Sequence, residues 1–262
     1  MSPAGIQAAR LGAALYYGGL RAFGATALRR RVQDGGLILC YHDVVSGDDG
    51  RVGDPALHVT RDRFERQARW LAAHYQMLSL GELVRRLTSG GPLRGTAAIT
   101  FDDGYTGVFD HALPVLRRLG IPATVFVVAE APGRASGFWW DRPEVVVSLT
   151  PARRERWLKD LHGEQAAILS EVHAGAAPAL SPGLRPADWE TISAHLGDGI
   201  DVGVHSATHR SLTTLSDAEL DREIVASRAA IHRATGVRPE FFAYPYGLSD
   251  PRVRGFVHSA DL

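Results

Sequence analysis

The sequence contains a single cysteine and carries no net charge, and both features exclude classes of protein. Cys40 has no second cysteine to pair with, so no internal disulfide stabilises the fold. It is most simply a buried strand residue. The 29 basic and 29 acidic residues cancel, which leaves no overall attraction for nucleic acid. We therefore expect a neutral substrate and no nucleic-acid partner.

The N-terminal region lacks an apolar run long enough to span a bilayer. Residues 11–20 form an apolar stretch of ten residues, whereas a transmembrane helix needs about 20. Arg10 and Arg21 flank the stretch and no acidic residue precedes Asp34, a charge pattern unlike that of a signal peptide. We interpret residues 1–35 as a basic amphipathic helical segment that either makes peripheral membrane contact or covers the domain. This segment favours a membrane-associated or cell-envelope location over a cytoplasmic one.

Residues 36–262 alternate between short apolar runs and helical patterns, which is typical of β-α units around a parallel sheet. With 262 residues, 45% of them apolar, the chain has the size of one α/β barrel. The apolar runs predict about six strands, at residues 37–41, near 77, and at 97–101, 124–128, 201–204 and 241–244. A closed barrel of about seven or eight strands needs more, so either the barrel is incomplete at the C-terminus or the pattern misses a strand.

Capping patterns and apolar spacing place several helices. Ser79 with Glu82, and Ser216 with Glu219, form capping boxes that begin helices. The Ala-rich segment 151–186 has apolar residues at helical intervals. We interpret that segment as a helical insertion over the barrel mouth.

Two adjacent carboxylates follow the predicted strand 97–101. Asp102 and Asp103 belong to the run Thr-Phe-Asp-Asp-Gly at 100–104, and parallel α/β barrels carry catalytic groups at such strand ends. Side chains alternate along a strand, but beyond its end both carboxylates can reach one cation that offsets their repulsion. A turn followed by a helix N-cap uses the same residue types. This run alone therefore leaves both interpretations open.

Two histidines four residues apart follow the predicted strand 201–204. His205 and His209 are expected at the same barrel rim as Asp103, where the three side chains can converge on one metal. A carboxylate, two imidazoles and an open position form the ligand set of a catalytic zinc ion. Histidine pairs at this spacing are often only surface residues, but the nearby carboxylates favour a metal site. The ligand set suits zinc, and cobalt, nickel or iron are also compatible.

Together these motifs resemble those of the polysaccharide deacetylase superfamily, also called carbohydrate esterase family four. Besides Thr-Phe-Asp-Asp-Gly and His-Ser-x-x-His (205–209), Phe-Ala-Tyr-Pro-Tyr-Gly (242–247) is similar to the third family motif. Leu-Cys-Tyr-His-Asp (39–43) resembles the opening of the poly-N-acetylglucosamine deacetylase branch. The resemblance implies a distorted (β/α)7-type barrel of parallel strands in one catalytic domain, residues 36–262. It also implies a metal-dependent hydrolase that removes N-acetyl groups from an amino-sugar polymer or oligomer.

The resemblance further implies a role for each motif residue. Asp102 would be the general base, while Asp103, His205 and His209 would hold the metal. Tyr246 would supply a backbone N–H to the oxyanion. These roles agree with the chemistry of amide hydrolysis, in which a metal activates water, a base takes the water's proton and an amide dipole meets the developing negative charge.

Two departures from the family pattern leave alternatives open. The chain lacks the C-terminal Leu-x-His motif, and the resemblance to the poly-N-acetylglucosamine branch implies that His42 is the general acid instead. A histidine that only packs at the strand end is the other interpretation. Asp43 could orient His42, contact the metal-bound water or cap a turn. Ala243 stands where many relatives have an arginine that supports the base, and Tyr244 or a distant arginine could compensate.

Four further residues are expected to contact the substrate. The run Phe-Trp-Trp-Asp-Arg (138–142) resembles the fourth family motif, and aromatic faces suit stacking on sugar rings. Core packing of the tryptophans is an equal alternative. We predict the following substrate-binding residues: Trp140, Asp141, Tyr244 and Pro245.

Two other functions remain compatible with the sequence. The protein could be a catalytically degenerate relative that binds carbohydrate without turnover, given its departures from the motifs. It could also be an amidohydrolase of a small acylated amine, which a narrow pocket would favour over an open groove. Replacing Asp102 by Asn separates the enzyme from the binding protein, because only catalysis needs the base.

Overall fold

The computed structural model describes residues 35–47, 57–175 and 180–262. The segment predicted as a basic amphipathic helix, apart from its last residue, lies outside these ranges. No helix among the described residues combines the length and the apolar character that crossing a bilayer requires.

The described residues contain seven strands, three of which the sequence analysis did not place or placed only weakly. In chain order the strands are β1 (Leu37–Tyr41), β2 (Asp43–Val45), β3 (His58–Thr60), β4 (Gln76–Met77), β5 (Thr96–Phe101), β6 (Ala123–Val127) and β7 (Ile200–Val204). The α-helices are α1 (Arg61–His74), α2 (Leu80–Thr88), α3 (Leu113–Leu119), α4 (Pro143–Ser148), α5 (Pro151–Lys159), α6 (Gln165–Glu171), α7 (Trp189–His195), α8 (Asp217–Leu220), α9 (Ser227–Thr235) and α10 (Pro251–Ser259). A π-helical turn, Val108–Ala112, precedes α3, and a second, Asp221–Ala226, joins α8 to α9.

The strands form one main parallel sheet with a small separate pair. The main sheet has the order β1-β5-β6-β7, and β4 also pairs with β5; β2 pairs with β3. Every residue of β5 and of β6 is buried, as expected for parallel strands covered on both faces. The α/β class and the parallel strand arrangement predicted from the sequence are confirmed.

The two ends of the main sheet differ from a regular closed barrel. No described strand pairs with the outer edge of β1, where Leu37 and Ile38 are 38% and 50% exposed. Beyond β7, the predicted strand 241–244 is reduced to one parallel bridge between Val204 and Phe242. Pro245 follows immediately and has no N–H with which to continue the ladder.

Local capping signals are confirmed where the sequence predicted them. The backbone N–H of Glu82 donates to Oγ of Ser79 at the start of α2. Ser216 and Glu219 form a complete capping box at the start of α8. The insertion 151–186 contains α5 and α6, so its helical character is also confirmed.

The sheet brings the candidate site residues to one edge. Parallel strands place all their carboxyl ends on the same side of the sheet. The predicted catalytic and metal-binding residues follow β1, β5 and β7, which belong to this parallel sheet. His42 comes directly after β1, Asp102 and Asp103 after β5, and His205 after β7. The fold therefore gathers side chains that are far apart in the sequence.

We predict that Gly107→Ala destabilises the protein. An added Cβ would lie 2.4 Å from Oδ1 of Asp43 and 2.5 Å from the carbonyl O of Val44, so strand β2 would have to move. We expect a loss of roughly 1–3 kcal/mol in the free energy of unfolding. Gly255→Ala in α10 is the matched control, because nothing lies within 4 Å of the added Cβ. Urea unfolding should show a lower midpoint for the first variant and no decrease for the second; equal midpoints would contradict the packing described here.

Candidate metal-dependent active site

Three side chains that can ligate a metal meet at the ends of β5 and β7. The Nε2 atoms of His205 and His209 are 3.1 Å apart, and they lie 3.5 and 3.4 Å from Oδ1 of Asp103. Donor atoms bound to one tetrahedral zinc ion at its usual bond lengths would be about 3.3 Å apart. These three residues therefore have the spacing of a metal site, and they are the group predicted from the sequence.

Local hydrogen bonds fix the direction of the His205 imidazole and the backbone at His209. The carbonyl O of Ala243 lies 2.9 Å from Nδ1 of His205 and accepts its N–H, which leaves Nε2 directed towards Asp103. The backbone N–H of His209 donates to Oγ of Ser206 at 2.9 Å. Asp103, Ser206 and His209 have left-handed backbones, with φ values of 71°, 63° and 63°. Such conformations are unfavourable for residues other than glycine and are concentrated at functional sites.

A buried glutamate holds the loop between the two histidines. Glu223 is 2% exposed and accepts hydrogen bonds from the backbone N–H groups of Ala207 and Thr208, at 3.0 and 2.9 Å. The hydroxyl of Thr208 donates to the same carboxylate. The sequence analysis missed this contact because Glu223 is 15 residues from Thr208 and lies in the middle of a helical pattern.

The unpaired atoms of the triad fit a bound cation. Asp103 is 2% exposed, and its buried Oδ1 has no hydrogen-bond partner within the described residues. Leaving such an atom unpaired costs about 1–3 kcal/mol. A divalent cation among Asp103, His205 and His209 would coordinate this oxygen. The residues present therefore fit the metal that the sequence predicts.

The surroundings of the triad disfavour charge on its members. Burial, followed by the negative charge of Asp102, raises the pKa of Asp103 well above its ordinary value. Burial, followed by the neighbouring His205, lowers the pKa of His209 well below its ordinary value. Neutral imidazole is the form that binds metal, and a cation would stabilise the Asp103 carboxylate.

The triad lies in the wall of a cavity of about 360 Å³. The cavity contains five of the other residues predicted for the site, namely His42, Asp102, Trp140, Tyr244 and Tyr246. Trp139 and Gly247 also line it and lie in quoted motifs without a predicted role, and the remaining lining residues come from separate loops and helices: Leu57, Leu149 and Arg154. The catalytic and metal-binding residues predicted from four motifs therefore share one cavity.

Asp102 has a thiol as its hydrogen-bond partner. Sγ of Cys40 lies 3.3 Å from Oδ2 of Asp102. The expectation that Cys40 is buried is wrong, because its strand is at the edge of the sheet and the residue is exposed. Its thiol nevertheless points towards the site, where partial burial and the charge of Asp102 raise the pKa of Cys40 to about 12. The thiol therefore stays protonated and donates to Asp102.

His42 lines the cavity, where the negative charges of Asp102 and, more weakly, Asp141 act on it. Burial lowers the pKa of His42 below the ordinary value for histidine, and the charge of Asp102 acts in the opposite direction. A lowered pKa makes a protonated imidazole a stronger acid, which suits proton donation to an amine.

Two of the predicted substrate-binding residues do not face the cavity. Asp141 is fully buried and both of its oxygens are occupied, Oδ1 by His58 at 3.0 Å and Oδ2 by the hydroxyl of Tyr105 at 2.6 Å. The prediction that Asp141 contacts substrate is therefore wrong. Pro245 is buried and is not among the residues that line the cavity.

His58 connects two buried carboxylates and was missed by the sequence analysis. Its Nδ1 lies 3.1 Å from Oδ2 of Asp43 and its Nε2 lies 3.0 Å from Oδ1 of Asp141, with all three side chains fully buried. Asp43 thus bonds to His58 instead of orienting His42. No sequence signal identifies this cluster, because the partners of His58 are 15 and 83 residues away.

A second cavity of about 750 Å³ adjoins the first. Leu149 and Arg154 line both cavities, and Leu248 of the second follows Gly247 of the first. The remaining lining residues come mainly from α5 and from the loop after the triad: Thr150, Pro151, Glu155, Leu158, Lys159, Ser211, Thr213 and Thr214. The insertion after β6 therefore extends the site beyond the metal triad.

The charge on His58 predicts a pH-dependent stability of the metal-free protein. Burial alone would lower the pKa of His58, but hydrogen bonds to Asp141 and Asp43 outweigh it and raise the pKa from 6.5 to about 9. The stabilisation is fully present below pH 6.5 and is lost as the pH rises through 9, because the folded state then gives up a proton that it binds more tightly than the unfolded state.

We therefore expect the difference in unfolding free energy between wild type and His58→Gln to shrink by about 3 kcal/mol between about pH 6 and about pH 10. Urea unfolding at a series of pH values measures this difference. A difference that does not change with pH would show that His58 is uncharged in the folded protein.

Comparison with known proteins agrees with the site geometry. The family described as polysaccharide deacetylase matches residues 90–262, which is more than half of the chain. YxkH of Bacillus subtilis, named as a candidate polysaccharide deacetylase, is 37% identical over 98 residues, which are 37% of this chain and 33% of that protein. The poly-β-1,6-N-acetyl-D-glucosamine N-deacetylase of Staphylococcus epidermidis is 37% identical over 71 residues, 27% of this chain and 25% of that protein. The matched segments are thus a third or less of these relatives' length.

A solved structure shares the fold over most of the chain. IcaB from Ammonifex degensii superposes with a TM-score of 0.61, covering 87% of this chain and 81% of that chain at 22% identity. At this identity the likeness establishes the fold alone. The family match contains the aspartate pair, the two histidines and the 242–247 motif that form the cavity described above. The chain belongs to the polysaccharide deacetylase family.

Proposed function

We propose that the protein is a metal-dependent hydrolase that removes N-acetyl groups from an N-acetylated amino-sugar polymer or oligomer. The observation that carries this proposal is the buried triad Asp103, His205 and His209 in the wall of a cavity that also contains Asp102 and His42. A metal position, a carboxylate base and an imidazole acid around one cavity are the groups that amide hydrolysis requires.

The triad suits zinc, and cobalt, nickel or iron would fit the same ligands. A zinc ion held there would polarise the acetyl carbonyl and lower the pKa of its bound water to about 7. Asp102 would take the proton of the attacking water, with the Cys40 thiol holding its other side. His42 would deliver a proton to the leaving amine. The backbone N–H of Tyr246, in a loop with φ of 59°, would face the developing oxyanion.

The lining of the cavities favours an extended sugar substrate. Trp139, Trp140, Tyr244 and Tyr246 present aromatic rings to the first cavity, and such rings stack on sugar faces. The second cavity gives room for further units, which supports an oligomer over a small acylated amine. The relative from Staphylococcus epidermidis, named for a poly-N-acetylglucosamine substrate, supports the same class.

A carbohydrate-binding protein without turnover is the second candidate. It is favoured by Ala243, which stands where many relatives have an arginine, and by the neutral thiol that contacts Asp102 instead. In that case the aromatic cavity and the metal would bind sugar, but no acetate would be released.

We predict zinc-dependent acetate release from N-acetylglucosamine oligomers by the purified protein. Asp103→Ala should lose both zinc and activity, because it removes the carboxylate ligand. Asp102→Asn and His42→Ala should keep zinc and lower kcat by roughly 10²–10⁴-fold, since each removes one proton-transfer group. His74→Ala, an exposed change on α1, is the matched control and should leave kcat unchanged.

Acetate assays and metal analysis of the same samples separate the candidates. Zinc and oligomer binding without acetate release would favour the carbohydrate-binding protein. Release of acetate from a small acylated amine, but not from oligomers, would favour the amidohydrolase.

We predict that Thr213→Trp selectively weakens the use of long substrates. Thr213 lines the second cavity but not the first, so a larger side chain there should block units beyond the reacting sugar. We expect kcat/KM to fall on the order of tenfold for a tetramer, with little change for a monomer, since remote contacts contribute to catalysis only when the substrate reaches them. Thr88→Trp on the exposed end of α2 is the matched control. An equal fall for both substrates would show that the second cavity does not bind sugar units.

A further inference from the structure

A buried series of hydrogen bonds runs from strand β2 to Trp140, whose ring packs on the candidate metal ligand His209. His58 joins Asp43 to Asp141, and the hydroxyl of Tyr105 donates to Asp141. Nε1 of Trp140 donates to the Tyr105 oxygen at 2.8 Å. The side chain of His58 is 0% exposed, so it cannot touch a substrate in the cavity.

The direction of these hydrogen bonds is set by the indole at one end. The N–H of Trp140 can only donate, so the Tyr105 oxygen accepts it and directs its own proton to Asp141. Asp141 thus accepts from Tyr105 at Oδ2, while its Oδ1 lies 3.0 Å from Nε2 of His58. Placed between two carboxylates, His58 can donate from both ring nitrogens as an imidazolium, a form that the neighbouring carboxylates favour.

The positive charge of His58 offsets the free-energy cost of burying the two carboxylates. Asp43 and Asp141 are both 0% exposed, and an uncompensated buried charge costs several kcal/mol. Removing His58 would leave Oδ1 of Asp141 without its partner. The Asp141 carboxylate could then turn, and its hydrogen bond from Tyr105 would no longer be held in place.

The far end of the series supports a metal ligand. The ring of Trp140 packs on His209 with centroids 4.6 Å apart, and Phe138 stacks on Trp140 at 4.7 Å with an interplanar angle of 5°. Nδ1 of His209 has no hydrogen-bond partner within the described residues. Aromatic packing therefore has to hold this imidazole, whereas His205 is held by a hydrogen bond to the Ala243 carbonyl.

We propose that His58 is a positioning residue that holds His209 ready for the metal, acting through Asp141, Tyr105 and Trp140. The proposal rests on the metal site of the proposed function but not on deacetylation itself. Outer residues that orient metal ligands typically change metal affinity or activity by about 10–100-fold when they are mutated. A merely structural ion pair at this place would change stability and leave metal affinity unchanged.

A double-mutant cycle with His58→Gln and Tyr105→Phe tests the proposal. His58→Gln removes the charge, and Tyr105→Phe removes one hydroxyl while it keeps the ring that packs in the core. Zinc affinity of the whole protein is measured by competition with a chelator, without substrate, alongside thermal unfolding. His74→Gln on the exposed surface of α1 is the matched control.

We expect each single variant to bind zinc about tenfold more weakly, and the double variant to bind no more weakly than the worse single variant, because both break the same series. The control should bind zinc like the wild type. If His58→Gln does not fold, Tyr105→Phe decides: unchanged zinc affinity overturns the proposal.

Two results would overturn the proposal. One is a loss of zinc affinity in the double variant that equals the product of the losses in the single variants. The other is a fall in the melting temperature of the single variants with unchanged zinc affinity. A wild-type protein that binds no divalent metal would overturn it together with the metal site. Zinc binding without acetate release would overturn only the deacetylase proposal, because the cycle needs no turnover.

Discussion

Compensation of buried negative charge is the constraint on which the rest of this structure depends. Asp43, Asp103 and Asp141 are almost fully removed from water, and Asp102 adds a fourth carboxylate at the cavity. Such a cluster is stable only where positive charge or hydrogen-bond donors offset it. His58 does so for two of these carboxylates. For Asp103, whose buried Oδ1 has no hydrogen-bond partner within the described residues, the cation of the proposed function would play this part.

The two compensating groups also divide the site in space. His58, Asp43 and Asp141 form a fully buried support, which is linked through Tyr105 to the cavity-lining Trp140. The metal triad and His42 line the cavity itself. The support fixes geometry, and the exposed side carries the chemistry we propose. The metal triad and His42 meet because β1, β5 and β7 end at the same edge of the sheet, whereas Asp43 and His58 come from the separate pair β2 and β3.

The sequence predicted the parts of this site whose signals are local. Asp102 and Asp103 are adjacent, and His205 and His209 are four residues apart, so each pair is visible as a motif directly after an apolar strand. The α/β class followed from the same alternation. The support around His58 was missed because its hydrogen bonds join residues 15 to 83 positions apart, and periodicity carries no information about such pairs.

Two incorrect predictions have the same physical origin. Cys40 was assigned to the interior from its apolar strand, but alternation cannot distinguish a central strand from an edge strand such as β1. Asp141 was assigned to substrate because the run 138–142 resembles the fourth family motif. Its actual orientation depends on His58 and Tyr105, which only the three-dimensional fold brings to it.

The left-handed backbones of Asp103, Ser206, His209 and Tyr246 have a consequence for how such proteins evolve. Each costs on the order of 1 kcal/mol relative to glycine, so selection for stability alone would replace these residues. A lineage that stopped using the site would be free to acquire glycine at these positions. Glycine at any of these positions would relieve the backbone strain, but at Asp103 or His209 it would also remove a ligand side chain of the candidate metal site.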